Sequence, residues 1–175
     1  MGDFRAQLAT VRTGERHFIE MIEKYGRNAV VQGIAAIMDQ SEAVTRERIR
    51  SIPDGEYDAE SFMDDDGISV GQRVPIRVKV TVHGDSITMD LTDVSKQVGG
   101  FYNSGETSGR SCCQVAFKCL TSALDYPIND GQFRALNIIL PPGRMAMSRA
   151  VLKFVRQASL FEQATRPWLA VQDLG

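Results

Sequence analysis

The chain has 175 residues, 43% of them hydrophobic and 24% charged, with a formal net charge of −2 and a pI near 5.7. A chain of this size buries about 70% of the surface it exposes when unfolded, so it needs no disulfide or metal staple. The weakly acidic balance argues against a nucleic-acid partner, and no stretch approaches the ~18 consecutive apolar residues of a membrane span.

Residues 3–25 predict a long amphipathic helix. Asp3 is a candidate N-cap, and Phe4, Leu8, Val11, Phe18, Ile22 and Tyr25 follow a 4-3 spacing along one face, with Glu15 in the slot where an apolar residue was due. Gly26 suits a left-handed helix stop and Asn28 a cap for a second helix over 29–52. That helix would turn Val30, Ile34 and Ile37 toward the first, giving an antiparallel hairpin. Its polar second half, Gln40 to Arg46, is expected to pack on something absent from this sequence.

Pro53-Asp54-Gly55 ends the helix, and a strand follows over 56–63. Asp64-Asp65-Asp66-Gly67 lacks the alternate ligands and the closing Glu of an EF-hand loop, so it predicts a solvated turn. Val74, Ile76, Val78, Val80 and Val82 alternate with polar residues in a strand with one wet face. Gly84-Asp85 then signals a hairpin, and Ile87, Met89 and Leu91 alternate in the returning strand. His17 and His83 have no partner at ligand spacing and predict surface residues, and no metal ligand is assigned anywhere.

A polar, glycine-rich loop over 93–110 leads into a helix over 107–124 with Val115, Phe117, Leu120 and Leu124 on its apolar side. Cys112 and Cys119, seven apart, predict one buried face, and the three reduced cysteines fit a cytoplasmic protein. After a turn over 126–131, the run 135–140 predicts a short strand. The class is therefore α+β: a long N-terminal helical hairpin, antiparallel strands, then a loop–helix–strand unit. Residues 145–175 form an unassigned C-terminal tail after a first segment over 1–144.

The loop nearly matches a P-loop, because Gly100 and Gly105 have the right separation. Glu106 stands where the phosphate-binding lysine belongs, and a like-charge pair at 4 Å costs about 4 kcal/mol at an effective dielectric of ~20. The strand before the loop is also expected to be antiparallel, unlike that of a P-loop. What survives is a set of amides at a helix start, helped by Arg110, with Gln97, Asn103 and Thr107 as directional hydrogen-bonding groups for a carboxylate or carbonyl oxygen.

Several blocks together resemble the hydantoinase B/oxoprolinase family. They are G-D-F-R-A-Q-L-A at the start, Ser41-Glu42 with Arg46, I-P-D-G-E-Y followed by D-D-D-G, M-D-L-T-D, then Gln97, Gly100 and Asn103, and P-I-N-D-G-Q-F-R before L-P-P-G. The match looks closest to the branch of the acetone carboxylase-type subunits. Where the family often has Thr six residues after the loop Asn, this chain has Gly109. The resemblance implies the B-type subunit of an ATP-dependent hydantoinase or oxoprolinase, hydrolysing a cyclic amide, or of a related ketone carboxylase. It implies ATP and a divalent metal for the full complex, none in this chain alone, and an A-type subunit or domain as partner. It also implies an internal or truncated segment, inactive by itself. The expected substrate-side residues are Asp90, Gln97, Asn103, Thr107, Arg110, Asn129 and Arg134, with no general base assigned. The alternative is a scaffold or subunit-interface segment whose chemistry lies in missing chain or partner.

Overall fold

The computed structural model describes residues 2–100, 102–121 and 128–144. The tail over 145–175 and Leu124 lie outside the described residues. The chain divides into two compact units, Met1–Gln40 and Ser41–Gly175.

The first unit holds α1 (Gly2–Tyr25) and the first part of α2 (Arg27–Arg50). Gly26 joins them with φ +83, a left-handed conformation that glycine takes without a Cβ clash. Its amide donates to the Ile22 carbonyl at 2.8 Å, and Val30 donates to the Gly26 carbonyl at 3.2 Å. Asn28 is therefore the second residue of α2 rather than its cap. The apolar face is not buried: Phe4 is 75% exposed, Val11 68% and Ile37 54%, and Val30 is the buried side chain of this unit's described part. Glu15 faces solvent too.

The second unit is a four-stranded sheet in the order β1-β2-β3-β4, with β1 Gly55–Met63, β2 Val74–His83, β3 Ser86–Asp90 and β4 Leu136–Ile139. β1, β2 and β3 pair antiparallel as expected. β4 instead pairs parallel to β3, from Ile87↔Leu136 to Asp90↔Ile139. The helix α3 (Glu106–Thr121) carries the chain between those two strands, so the loop sits in a β-loop-α-β connection. β3 is thus antiparallel to β2, as expected, and parallel to β4, so Glu106 rather than strand direction weighs against a P-loop.

The alternation of β2 decides the core. Ile76, Val78, Val80 and Val82 are buried on one face, while Arg77 and Lys79 on the other pair with Glu60 at 3.0 Å and Glu56 at 2.9 Å. Phe117, Cys113, Ala116 and Leu120 of α3 join the buried face with Ile49 of α2. Two expectations are reversed by the phase of these helices. The polar second half of α2 is the half that enters a core, with Ser41, Thr45 and Ile49 buried. On α3, Cys113 is buried whereas Cys112 is half-buried and Cys119 exposed, and Val115 faces outward. An offset of one residue turns a helical side chain by about 100°, and the apolar seam runs through Gly109, Cys113, Ala116 and Leu120.

Candidate functional site

The loop after β3 is built by three tethers. At its start, Asp90 Oδ1 accepts from the Thr92 amide at 2.8 Å, closing an Asx turn that ends the strand. Leu91 donates to the Ile139 carbonyl at 2.8 Å and Gln97 to the Gly143 carbonyl at 3.1 Å, while Arg144 donates to the Val94 carbonyl at 3.0 Å. The Ser95 hydroxyl donates to the Pro75 carbonyl. Parallel pairing makes this possible, because it brings the ends of β3 and β4 to the same edge.

The second tether is Asn103. Its Oδ1 accepts from the Val98 amide at 2.9 Å, and its Nδ2 donates to the Val98 and Gly100 carbonyls at 2.7 and 2.9 Å. A planar amide can satisfy an amide and a carbonyl of one residue together, which gives Asn a role here that Asp cannot fill. Asn103 thus folds the loop on itself rather than pointing both polar atoms outward.

The third tether is the acidic turn. Asp66 Oδ1 accepts from the amides of Ile68 at 2.9 Å and Ser69 at 2.6 Å. Those amides, Ser69 first, hold its carboxyl below the usual aspartate range. Asp65 accepts from the Gly67 amide at 2.9 Å. With its side chains facing its own amides, the turn presents its main chain to the loop: a Cβ at Gly100 would lie 1.7 Å from the Asp66 carbonyl oxygen. The sequence gives no sign of this contact, since a non-local approach leaves only a glycine behind.

Thr107 and Arg110 lie on the exposed first turns of α3, and Gln97 is exposed on the loop. Arg110 Nε donates to Glu106 Oε1 at 2.9 Å, so the residue that spoils phosphate binding also holds the nearest guanidinium. Gly109 is buried, with no side chain to replace the threonine of the family pattern.

Asn129 and Arg134 stand elsewhere. Asn129 caps the 3₁₀ turn Asp130–Ala135 that leads into β4 at Leu136, and Arg134 lies in its last turn. β4 runs from there to Ile139 opposite Asp90, about 10 Å along the strand. The seven expected residues therefore fall into two groups at opposite ends of β3: Asp90, Gln97, Asn103, Thr107 and Arg110 at one, Asn129 and Arg134 at the other.

The second group belongs to a polar network. Asn129 Oδ1 caps the Gly131 amide at 2.9 Å, and its Nδ2 donates to the buried Ser41 hydroxyl at 2.6 Å. Arg134 pairs with Glu42 at 3.1 Å, and Arg46 bridges Glu42 and Asp85, each at 2.9 Å. Arg50 reaches the other Asp85 oxygen at 2.8 Å. Hydrogen bonds from Arg134 and then Arg46 hold the Glu42 carboxyl below its ordinary range. For Asp85, burial works against the charged form, but Arg50 and Arg46 outweigh it and keep the carboxyl low. The Ser41-Glu42-Arg46 block and the N-D-G-Q-F-R block are thus one structure, locking the second half of α2 to the entry of β4. Asp85 and Arg50 were not foreseen; a turn aspartate and a helix-end arginine carry no local signal that they will meet.

Among the described residues there is no group of three or more His, Cys, Asp or Glu side chains placed to hold a metal ion. The loop, with Glu106 at the lysine position, does not fit a nucleotide phosphate either. No helix among the described residues is long and apolar enough to cross a membrane.

Comparison with known proteins fits this arrangement into a wider group. The family model for hydantoinase B/oxoprolinase matches residues 1–153. A protein of Pseudomonas sp. strain NS671 assigned as the B-type subunit of a D-/L-hydantoinase is 34% identical over 154 residues, which are 83% of this chain and 26% of that protein. The beta subunit of caprolactamase from Pseudomonas jessenii is 31% identical over 142 residues, 81% of this chain and 24% of its own length. The chain thus spans about a quarter of the curated relatives it matches. The crystal structure of the ATP-dependent caprolactamase from P. jessenii superposes with a TM-score of 0.79 at 26% identity, over 93% of this chain and 30% of that one. Nucleotide-free acetone carboxylase shares the fold with a TM-score of 0.59 at 16% identity, over 76% of this chain and 20% of its own.

Proposed function

This chain belongs to the hydantoinase B/oxoprolinase family, and from that premise we propose that it forms part of the B-type component of an ATP-dependent complex that hydrolyses a cyclic amide. The observation that carries this reading is the identity above 30% to the B-type component of a hydantoinase and to the beta subunit of caprolactamase. The likeness to acetone carboxylase is one of fold, so ring hydrolysis is preferred to ketone carboxylation. An A-type subunit or domain would supply the nucleotide chemistry, consistent with a loop here that repels phosphate. Among the described residues no side chains are grouped to hold a metal ion, and Glu106 opposes a nucleotide phosphate.

Within that component, the loop edge is the substrate-side surface. Gln97 on the loop and Thr107 and Arg110 on the first turns of α3 are exposed beside a helix start that also offers main-chain amides, a donor set suited to a lactam carbonyl or carboxylate oxygen. Asn103 acts through the loop it closes and is a positioning residue. Asp90 does the same at the strand end. Asn129 and Arg134 belong to the opposite end and serve the architecture.

A second reading has its own observation. The polar side chains of the family blocks, Asn103, Asn129 and Arg134, all bond within the fold, as in a scaffold segment whose chemistry lies in other chain or partner. The two are separated in an assembled A-type/B-type complex. Gln97→Ala and Arg110→Ala are expected to raise KM for the cyclic amide, and Asn103→Ala to lower turnover. If all three variants keep wild-type turnover and affinity, the scaffold reading replaces the substrate-side one.

A further inference from the structure

Two buried rows of side chains meet where the second half of α2 faces the turn before β4. On α2 the row is Ser41, Thr45 and Ile49, none more than 2% exposed. Around the turn it is Asn129, Gln132 and Ala135, with Gln132 5% and Ala135 2% exposed. Four residues of an α-helix and three of a 3₁₀ turn each advance about 6 Å along the axis, so the two rows keep step. One end of the match is polar and bonded, with Asn129 Nδ2 donating to Ser41 Oγ at 2.6 Å. The other end is apolar, because Ile49 and Ala135 both belong to the hydrophobic core. Arg46, next to Thr45, reaches the Arg134 carbonyl at 3.5 Å, which gives both rows the same direction. The middle positions are Thr45 and Gln132.

Those two side chains need an explanation. Both are more than nine-tenths buried, and among the described residues neither side chain makes a hydrogen bond. Thr10 and Thr121, also helical, donate to the carbonyls four residues back at 2.9 and 2.8 Å, a bond that Thr45 does not make. Ser41 adds a third group, since a hydroxyl that accepts from Asn129 still has a proton to donate. A polar group buried without a partner forfeits the hydrogen bonds it makes to solvent in the unfolded chain.

We infer that Thr45, Gln132 and the Ser41 hydroxyl bind a buried water molecule that bridges α2 to the entry of β4. The chemistry of the three groups selects this occupant. All are neutral, and together they supply hydroxyl and amide donors and a carboxamide acceptor. Water both donates and accepts, and a buried water typically makes about three hydrogen bonds. A metal cation would lack a carboxylate here, because Glu42 and Asp85 are engaged by arginines. A carboxylate or phosphate would lack a cation, because Arg46 and Arg50 are engaged by those same acids. Polar groups that face one another beyond bonding distance are where bridging water is found.

The test is made on this chain alone and reads no turnover, so it stands or falls apart from the cyclic-amide reading. A crystal structure at a resolution that shows ordered solvent is expected to hold a density peak within hydrogen-bond distance of Thr45 Oγ1 and the Gln132 carboxamide. The peak should persist in Thr45→Ser, which keeps the hydroxyl, and vanish in Thr45→Val. A direct Thr45–Gln132 bond, or no peak in the wild type, would overturn the inference. In solution, Thr45→Val and Gln132→Met are each expected to lower Tm by about 2–6 °C. The double variant should lose no more than the larger single change, since either substitution releases the same water. A Thr45→Val midpoint at or above that of the wild type would mean that the hydroxyl has no partner. Additive losses would mean that the two side chains share none, and either result overturns the inference.

Discussion

Gly100→Ala adds a single methyl group where the loop meets the acidic turn. Built on the native main chain, the new Cβ falls 1.7 Å from the Asp66 carbonyl oxygen. A comfortable separation is about twice that, so roughly 1.5 Å of movement is required. The obstacle is main chain, and neither side yields freely. Asp66 is held by the amides of Ile68 and Ser69, and the loop by Asn103. Overpacking of this kind costs about 1–3 kcal/mol, and for a chain of this length each kcal/mol lowers Tm by about 2–4 °C. The expected drop is therefore about 2–12 °C, with faster amide exchange at Val98 as the loop lifts. Gly105→Ala is the control, because its Cβ would meet nothing within 4 Å. Calorimetry on the three proteins decides the matter. A Gly100→Ala midpoint equal to that of Gly105→Ala would refute the close approach and the docking of the loop against the acidic turn.

Glu42→Gln removes the carboxylate shared by Arg134 and Arg46. The folded-state pKa of Glu42 is depressed, so its contribution is present above the ordinary glutamate value of about 4.3 and is lost as pH falls through the lower folded value. Wild-type stability should therefore fall on acidification below that range, and urea titrations at stepped pH should show a shallower fall in the variant. Phe117→Ala empties the largest fully buried side-chain site among the described residues and is expected to cost about 3–5 kcal/mol in urea denaturation. Burial, aided by the neighbouring Cys112, pushes the Cys113 thiol up to about 12, whereas Cys119 is exposed. Iodoacetamide at pH 8 should label Cys119 in the native protein and Cys113 only after unfolding, read by peptide mass. Native labelling of Cys113 at the rate of Cys119 would contradict the placement of α3.

The local features needed no fold to be read. The alternation from Val74 to Val82 marks β2 and its buried face, because side chains of a strand alternate sides whatever the sheet around them. Gly26 stops α1 with φ +83 and Gly84 opens the β2–β3 turn with φ +60, as single-residue sterics require. The family blocks, too, are plain in the sequence. Tertiary structure alone decided how these pieces meet. It chose the polar half of α2 for a core by matching Ser41 and Glu42 to Asn129 and Arg134, 88 and 92 residues away. It set Cys113 rather than Cys112 inward, made β4 parallel to β3, and pressed Gly100 against Asp66. Strand alternation and glycine sterics act within one or two residues. Helix phase, strand partner and polar pairing depend on what lies opposite, and in this chain the opposite surface comes from distant sequence.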